Sequence, residues 1–174
     1  MSIEKIAVLG AGQMGNGITQ VAACAGYEVT MIDIKQEFVD KGIATIEKSL
    51  SKLVSKERMS QEDADAARSR ISGATDRTAA ADADLVVEAI PEIPDLKFST
   101  FAELDQICKE GAILASNTSS ISINEIAAST NRPNRVIGMH FMNPVPIMKL
   151  IEVINGSDTD AEVTEAVIEA SEKM

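Results

Sequence analysis

Apolar residues fall along this chain in short unbroken runs separated by longer amphipathic stretches. The runs at 6–9, 29–32, 85–87, 112–115, 135–139 and 149–154 have the length of strands, and 71–73 is a weaker candidate. Helical periodicity fills 13–26, 36–56, 60–70, 95–110, 122–129 and 160–174. Strands that are apolar throughout, rather than alternating, belong in a sheet covered on both faces. Strand and helix alternate, which favours right-handed crossovers and a doubly wound, mostly parallel α/β sheet in one domain over residues 1–174. Pro91 and Pro94 mark a loop between a strand and the next helix, and Asn143-Pro144-Val145-Pro146 marks a turn. Ser122-Ile123-Asn124-Glu125 reads as a capping box that opens a short helix. The helix at 160–174 has acids at its start but no Gly or Pro stop, so the chain is expected to be part of a longer protein.

One junction between strand and helix carries more than a fold. Gly10-Ala11-Gly12-Gln13-Met14-Gly15 follows the first apolar run directly, and Asp33 closes the second, 23 residues after Gly10. In that context the G-x-G-x-x-G pattern is the phosphate turn of a Rossmann-type dinucleotide site. Gly10 permits the tight turn, Gly12 lets backbone approach a pyrophosphate, and Gly15 lets helix pack on strand. The helix N-terminus offers free N–H groups to the phosphates. Asp33 would accept hydrogen bonds from the ribose hydroxyls and repel a 2′-phosphate, so NAD rather than NADP is the expected cofactor.

Composition narrows the rest. With 174 residues, 45% of them hydrophobic, and mean hydropathy near zero, the chain has enough apolar material for a real core and no run that spans a bilayer. The start Met1-Ser2-Ile3-Glu4-Lys5 lacks a signal-peptide layout, and Cys24 and Cys108 read as small buried hydrophobes in a reducing, cytoplasmic compartment. Neither cysteine has a histidine near it, so no metal site is expected. A net charge of −11 argues against nucleic acid as a partner. Residues 35–58 are the exception, with six Lys and Arg against four Asp and Glu. Lys48, Lys52 and Lys56 recur along one helix face there, either as a solvated stripe or as a landing strip for a phosphate-bearing ligand.

In a doubly wound fold, ligands collect beyond the carboxyl ends of the strands. His140, the only histidine, stands at such an end, with Asn143 three residues later. A lone histidine there is often structural, but a dehydrogenase needs a base for the alcohol proton, and only imidazole has an ordinary pKa near neutrality. Glu152, flanked by Ile151 and Val153, is a carboxylate among apolar residues and should be paired. Beside an imidazole it would fix the tautomer; otherwise it is an acid on a sheet edge facing water. In Ser116-Asn117-Thr118-Ser119-Ser120, Asn117 and Ser119 are placed to hydrogen-bond a substrate oxygen or the nicotinamide, although such residues also shape turns, and spacing does not choose among the serines.

Taken in order, the glycine motif, Asp84–Ile90, Ser116–Ser120, His140–Pro146 and Lys149–Val153 resemble the NAD-binding domain of the L-3-hydroxyacyl-CoA dehydrogenases, including the 3-hydroxybutyryl-CoA type, over nearly the whole chain. The resemblance implies His140 as catalytic base with Glu152 as its partner, and Ser119 on the substrate's 3-oxygen and the cofactor. It places Asn143 on the nicotinamide side and Glu92 and Lys97 against bound cofactor or substrate. Ser49 and Lys56 match coenzyme A contacts on an inserted helical hairpin, which favours the phosphate reading of the lysine stripe. The family also carries a helical second domain that makes a homodimer and adds a catalytic Asn; that part is absent from this chain. The implied reaction is NAD-dependent oxidation of an (S)-3-hydroxyacyl-CoA thioester. Its rivals are a dehydrogenase of a free 3-hydroxy acid and a nucleotide-binding module without chemistry.

Overall fold

The computed structural model describes residues 1–174. Seven strands form one sheet: β1 (Lys5–Leu9), β2 (Glu28–Ile32), β3 (Ile71–Ala74), β4 (Leu85–Glu88), β5 (Ile113–Ser116), β6 (Val136–Phe141) and β7 (Ile151–Asn155). Six helices accompany them: α1 (Gln13–Cys24), α2 (Gln36–Ser55), α3 (Gln61–Ser69), α4 (Pro94–Ile107), α5 (Ile123–Ala128) and α6 (Ala161–Lys173). The strand order is β3-β2-β1-β4-β5-β6-β7, parallel except for β7, which returns antiparallel to β6. No helix is long and apolar enough to cross a membrane.

The continuous apolar runs make sense once both faces are seen to be covered. Ile6, Val8, Leu85, Val87, Ile113 and Ala115 point to one side, where they pack with α1, α2, α3 and α6; Ala7, Leu9, Val86 and Leu114 point to the other, under α4 and α5. Burying each large aliphatic side chain contributes about 1.5–3 kcal/mol. α2 turns Val39, Gly42, Ile46 and Leu50 inward and pairs with α3 as a helical hairpin lying along α1. Its end is closed by the backbone: Glu57 N–H donates to Val54 O and Arg58 N–H to Leu53 O, with Glu57 at φ 57° in the left-handed region.

Four expectations change in detail. The weak candidate at 71–73 is a true edge strand, β3, whose signal was faint because it is short and half exposed. β6 runs on to Phe141 because β7 pairs with it as far as Phe141 and Ile151, so His140 lies inside a strand rather than after one, and β7 begins two residues later than read. Ser122 makes no capping hydrogen bond. The turn before α5 is closed instead by Thr118, whose Oγ1 accepts from the N–H groups of Ser120 and Ile121. Cys24 is exposed, since Ala22 and Ala23 occupy the inward face of α1; Cys108 is buried as expected.

Candidate functional site

Strand order reverses between β1 and β4, and a crevice opens there beyond their carboxyl ends. Gly10 takes φ +105°, and a Cβ on it would stand 2.5 Å from the Ala89 carbonyl oxygen. A Cβ on Gly15 would stand 1.8 Å from the Gly10 oxygen, so α1 can start directly against the turn only without a side chain there. Gly12 is different. Nothing lies within 4 Å of its missing Cβ, and it leaves the first turn of α1 without a side-chain cap. The opening N–H groups of the helix, those of Gln13 and Met14 among them, therefore have neither an intrahelical partner nor a side-chain cap.

At the end of β2, Asp33 is held by two backbone donors: Ala11 N–H to Oδ2 and Ile34 N–H to Oδ1, each at 2.7 Å. The cleft beside it, about 380 Å³, has apolar walls from Leu9, Ile32, Ile34 and Ile90. Asp76, Arg77 and Glu103 close its far side, with Arg77 already ion-paired to Glu103. Hydrogen bonds from the Thr78 amide and hydroxyl hold the Asp76 carboxyl below the ordinary aspartate range. These features fit NAD. There are apolar walls for the base, an anchored carboxylate for ribose hydroxyls, and open helical N–H groups for a pyrophosphate. Three carboxylates against one cation that is already paired would repel a further phosphate on the ribose.

On the α4–α5 side, period-two alternation lines up a row of residues across the carboxyl ends of the strands. Leu9, Glu88, Ser116 and Gly138 are register neighbours, and His140 stands one alternation further out on the same face. His140 sits directly opposite Glu152 across the antiparallel pair, with Nδ1 3.8 Å from Oε1, an ion-pair separation longer than a hydrogen bond. The His140 side chain is 22% exposed and that of Glu152 51%, so Glu152 is both an edge acid and a neighbour of His140: β7 is an edge strand and its outer face is open. Asn143 Oδ1 accepts from Gln13 Nε2 at 3.0 Å and ties the turn after β6 to the glycine loop. Close approach of Gly17 to Val145 brings that turn down onto α1.

The Ser/Thr/Asn run divides its labour. Asn117 Oδ1 accepts from the Phe141 N–H at 2.8 Å, so its carbonyl joins β5 to β6. Ser119 is exposed, and its hydroxyl has no partner in the protein. Ser116 and Thr118 are buried. Ser116 Oγ donates to Glu88 Oε1 at 2.7 Å, and Thr118 Oγ1 donates to Glu92 Oε1 at 2.7 Å. Lys97, 1% exposed, places Nζ 2.7 Å from Glu88 Oε2, itself on a residue 0% exposed, and 3.6 Å from Glu92 Oε1. Lys97 thus lies behind Glu92 rather than at the surface of the crevice.

Sequence reasoning missed Glu88 and the buried roles of Ser116 and Thr118. The available signal was an acid directly after an all-apolar strand run, which demands a partner wherever that strand is central. Ser49 and Lys56 lie on the α2–α3 hairpin, Ser49 half-buried and Lys56 exposed at the end of α2, and no hydrogen bond or ion pair joins them to the His140 end. Lys48 and Lys52 are exposed on the same helix, and none of the three lysines is ion-paired.

Residues 5–174 match a family model described as the 3-hydroxyacyl-CoA dehydrogenase, NAD binding domain. The chain is 51% identical over 170 residues to the probable 3-hydroxybutyryl-CoA dehydrogenase of Deinococcus radiodurans, covering 98% of this chain and 61% of that protein. It is 48% identical over 174 residues to the protein of the same description in Bacillus subtilis, covering 100% and 61%. The solved structure of (S)-3-hydroxybutyryl-CoA dehydrogenase from Ralstonia eutropha superposes with a TM-score of 0.96 at 45% identity, over 99% of this chain and 61% of that one. The chain spans about three fifths of the length of these relatives.

Proposed function

The chain belongs to the 3-hydroxyacyl-CoA dehydrogenase family as an NAD-binding domain, and from that premise we propose that it is the cofactor half of an enzyme that oxidises (S)-3-hydroxyacyl-CoA thioesters of the 3-hydroxybutyryl type. The observation that carries the reading is the cross-strand pair of His140 and Glu152 at the open carboxyl end of β6, beside an Asn143 tethered to the glycine loop.

Bound NAD supplies an acceptor for the hydride that leaves C3 of the substrate. His140 takes the 3-hydroxyl proton on Nε2, because Nδ1 is the nitrogen turned to Glu152. The Glu152 carboxylate orients the ring and stabilises the imidazolium that forms. In the opposite direction the imidazolium returns its proton to the ketone oxygen. Ser119, with its hydroxyl unengaged, donates to the 3-oxygen; Asn143 and Glu92 line the nicotinamide side, and Lys97 stands behind Glu92. Ser49 and Lys56 on the hairpin hold the phosphate-bearing part of coenzyme A, where Lys56 has no competing carboxylate. We read the intact enzyme as a cytoplasmic homodimer paired through a helical second domain, in keeping with the greater length of its relatives.

NADH consumption with acetoacetyl-CoA tests this, with the chain at high concentration and 3-oxobutyrate as the competing free acid. His140→Ala is expected to lower the rate by about 10²–10⁴, the usual scale of general acid–base catalysis. A rate that survives the substitution removes His140 from the chemistry, and preference for the free acid overturns the thioester.

A further inference from the structure

One buried ammonium serves two carboxylates at this end of the crevice. Glu88 is saturated: Oε2 accepts from Lys97 Nζ and from the Ile90 N–H at 2.8 Å, and Oε1 accepts from Ser116. Glu92 is held only on its inner edge. Its Oε1 accepts from Thr118 Oγ1, with Lys97 Nζ at 3.6 Å, and its Oε2 faces the Ser119 N–H at 3.4 Å. The Glu92 side chain is 41% exposed, while Glu88 and Lys97 are sealed.

The surrounding layer gives no reason for charge. Phe101, Leu104 and Leu114, on α4 and β5, are fully buried on the same side of the sheet. A buried ion pair carries a large desolvation cost, and an apolar pair of similar volume often stabilises a core at least as well. What an apolar pair cannot do is hold a third, outward-facing carboxylate. Glu88 fixes Lys97, Lys97 and Thr118 fix Glu92, and Ser116 and Thr118 together fix the turn that presents Ser119.

Resting on the assignment of this end of the crevice to the nicotinamide half of the cofactor, we propose that the buried Glu88–Lys97 pair is a positioning device, which sets the Glu92 carboxylate and the Thr118–Ser119 turn against bound NADH. Glu88 touches no ligand and acts through Lys97, which holds Glu92, and through Ser116, which holds the Thr118 turn.

The test is NADH affinity, read from cofactor fluorescence, together with the melting temperature of the full chain. Glu92→Ala should weaken NADH about tenfold, the scale of one lost charge-assisted hydrogen bond, with little change in melting. The double substitution Glu88→Gln/Lys97→Met removes the charges but keeps the volume. It should melt close to the native chain and yet weaken NADH as Glu92→Ala does. Adding Glu92→Ala to that double variant should cost no further affinity, because both act on one contact. Native affinity in the double variant, or losses that multiply in the triple, overturns the proposal. Should the double variant fail to fold, Thr118→Val releases Glu92 from its other tether and leaves the buried pair intact; unchanged NADH affinity there overturns it equally. Turnover of acetoacetyl-CoA by the native chain is scored separately. Its absence counts against the thioester reading and leaves the NADH comparison as it stands.

Discussion

The two halves of the crevice are made of opposite materials. At the glycine loop the site is built from missing side chains: Gly10 and Gly15 let backbone meet backbone, Gly12 leaves helical N–H groups uncovered, and one carboxylate, Asp33, is pinned by two amides. At the ends of β4, β5 and β6 it is built from side chains that cross between elements: Glu88, Lys97 and Ser116 underneath, with His140 and Glu152 on the rim. The first half depends on space and the second on charge. Different substitutions should therefore break them, in different measurements.

The largest effect is expected from Gly15→Ala. Its Cβ would lie 1.8 Å from a backbone oxygen that has nowhere to go, so destabilisation on the order of 5 kcal/mol, seen as loss of the folding transition, is expected. Glu88→Ala comes next. It leaves Lys97 buried without its main partner and should cost roughly 3–5 kcal/mol in chemical denaturation, of which the neutral Glu88→Gln/Lys97→Met pair should recover most. Asp33→Asn sets an NH2 against one of the two backbone donors and should cost about 1–3 kcal/mol of stability, weaken NADH about tenfold, or about 1.4 kcal/mol, and narrow its advantage over NADPH. A parallel titration with both cofactors reads this; an unchanged ratio would take Asp33 out of cofactor choice. The smallest stability effect belongs to Gly12→Ala, within about 0.5 kcal/mol because the new methyl meets nothing, although NADH should bind more weakly where that methyl enters the phosphate path. If Gly12→Ala melted as early as Gly15→Ala, the contrast between the two halves would collapse.

The same contrast explains what could be read in the sequence. Strands, helices and the glycine turn are written in neighbouring residues, and all of them fall within a few positions of where the periodicity puts them. The weak strand at Ile71–Ala74 appears because β2 offers it an edge, which no local pattern reports. Glu88 and Ser116 are 28 residues apart and become partners only once β4 is known to lie beside β5 in a given register. Asn117 is a strand tie through its carbonyl for the same reason: that acceptor role is decided by Phe141, 24 residues on. The choice between a paired Glu152 and an edge acid facing water stayed open in the sequence because an apolar flank looks alike on an edge strand and a central one.

The α2 lysines have a consequence in time rather than in affinity. Lys48, Lys52 and Lys56 stand unpaired and exposed on one face of a chain whose net charge is −11. An anionic ligand approaching most of this surface is slowed, while one approaching the hairpin is drawn in. Encounter is therefore directional, and its rate should fall with ionic strength as the Debye length shrinks from about 10 Å at 0.1 M salt toward 3 Å at 1 M. Dissociation, governed by short-range contacts, should respond far less.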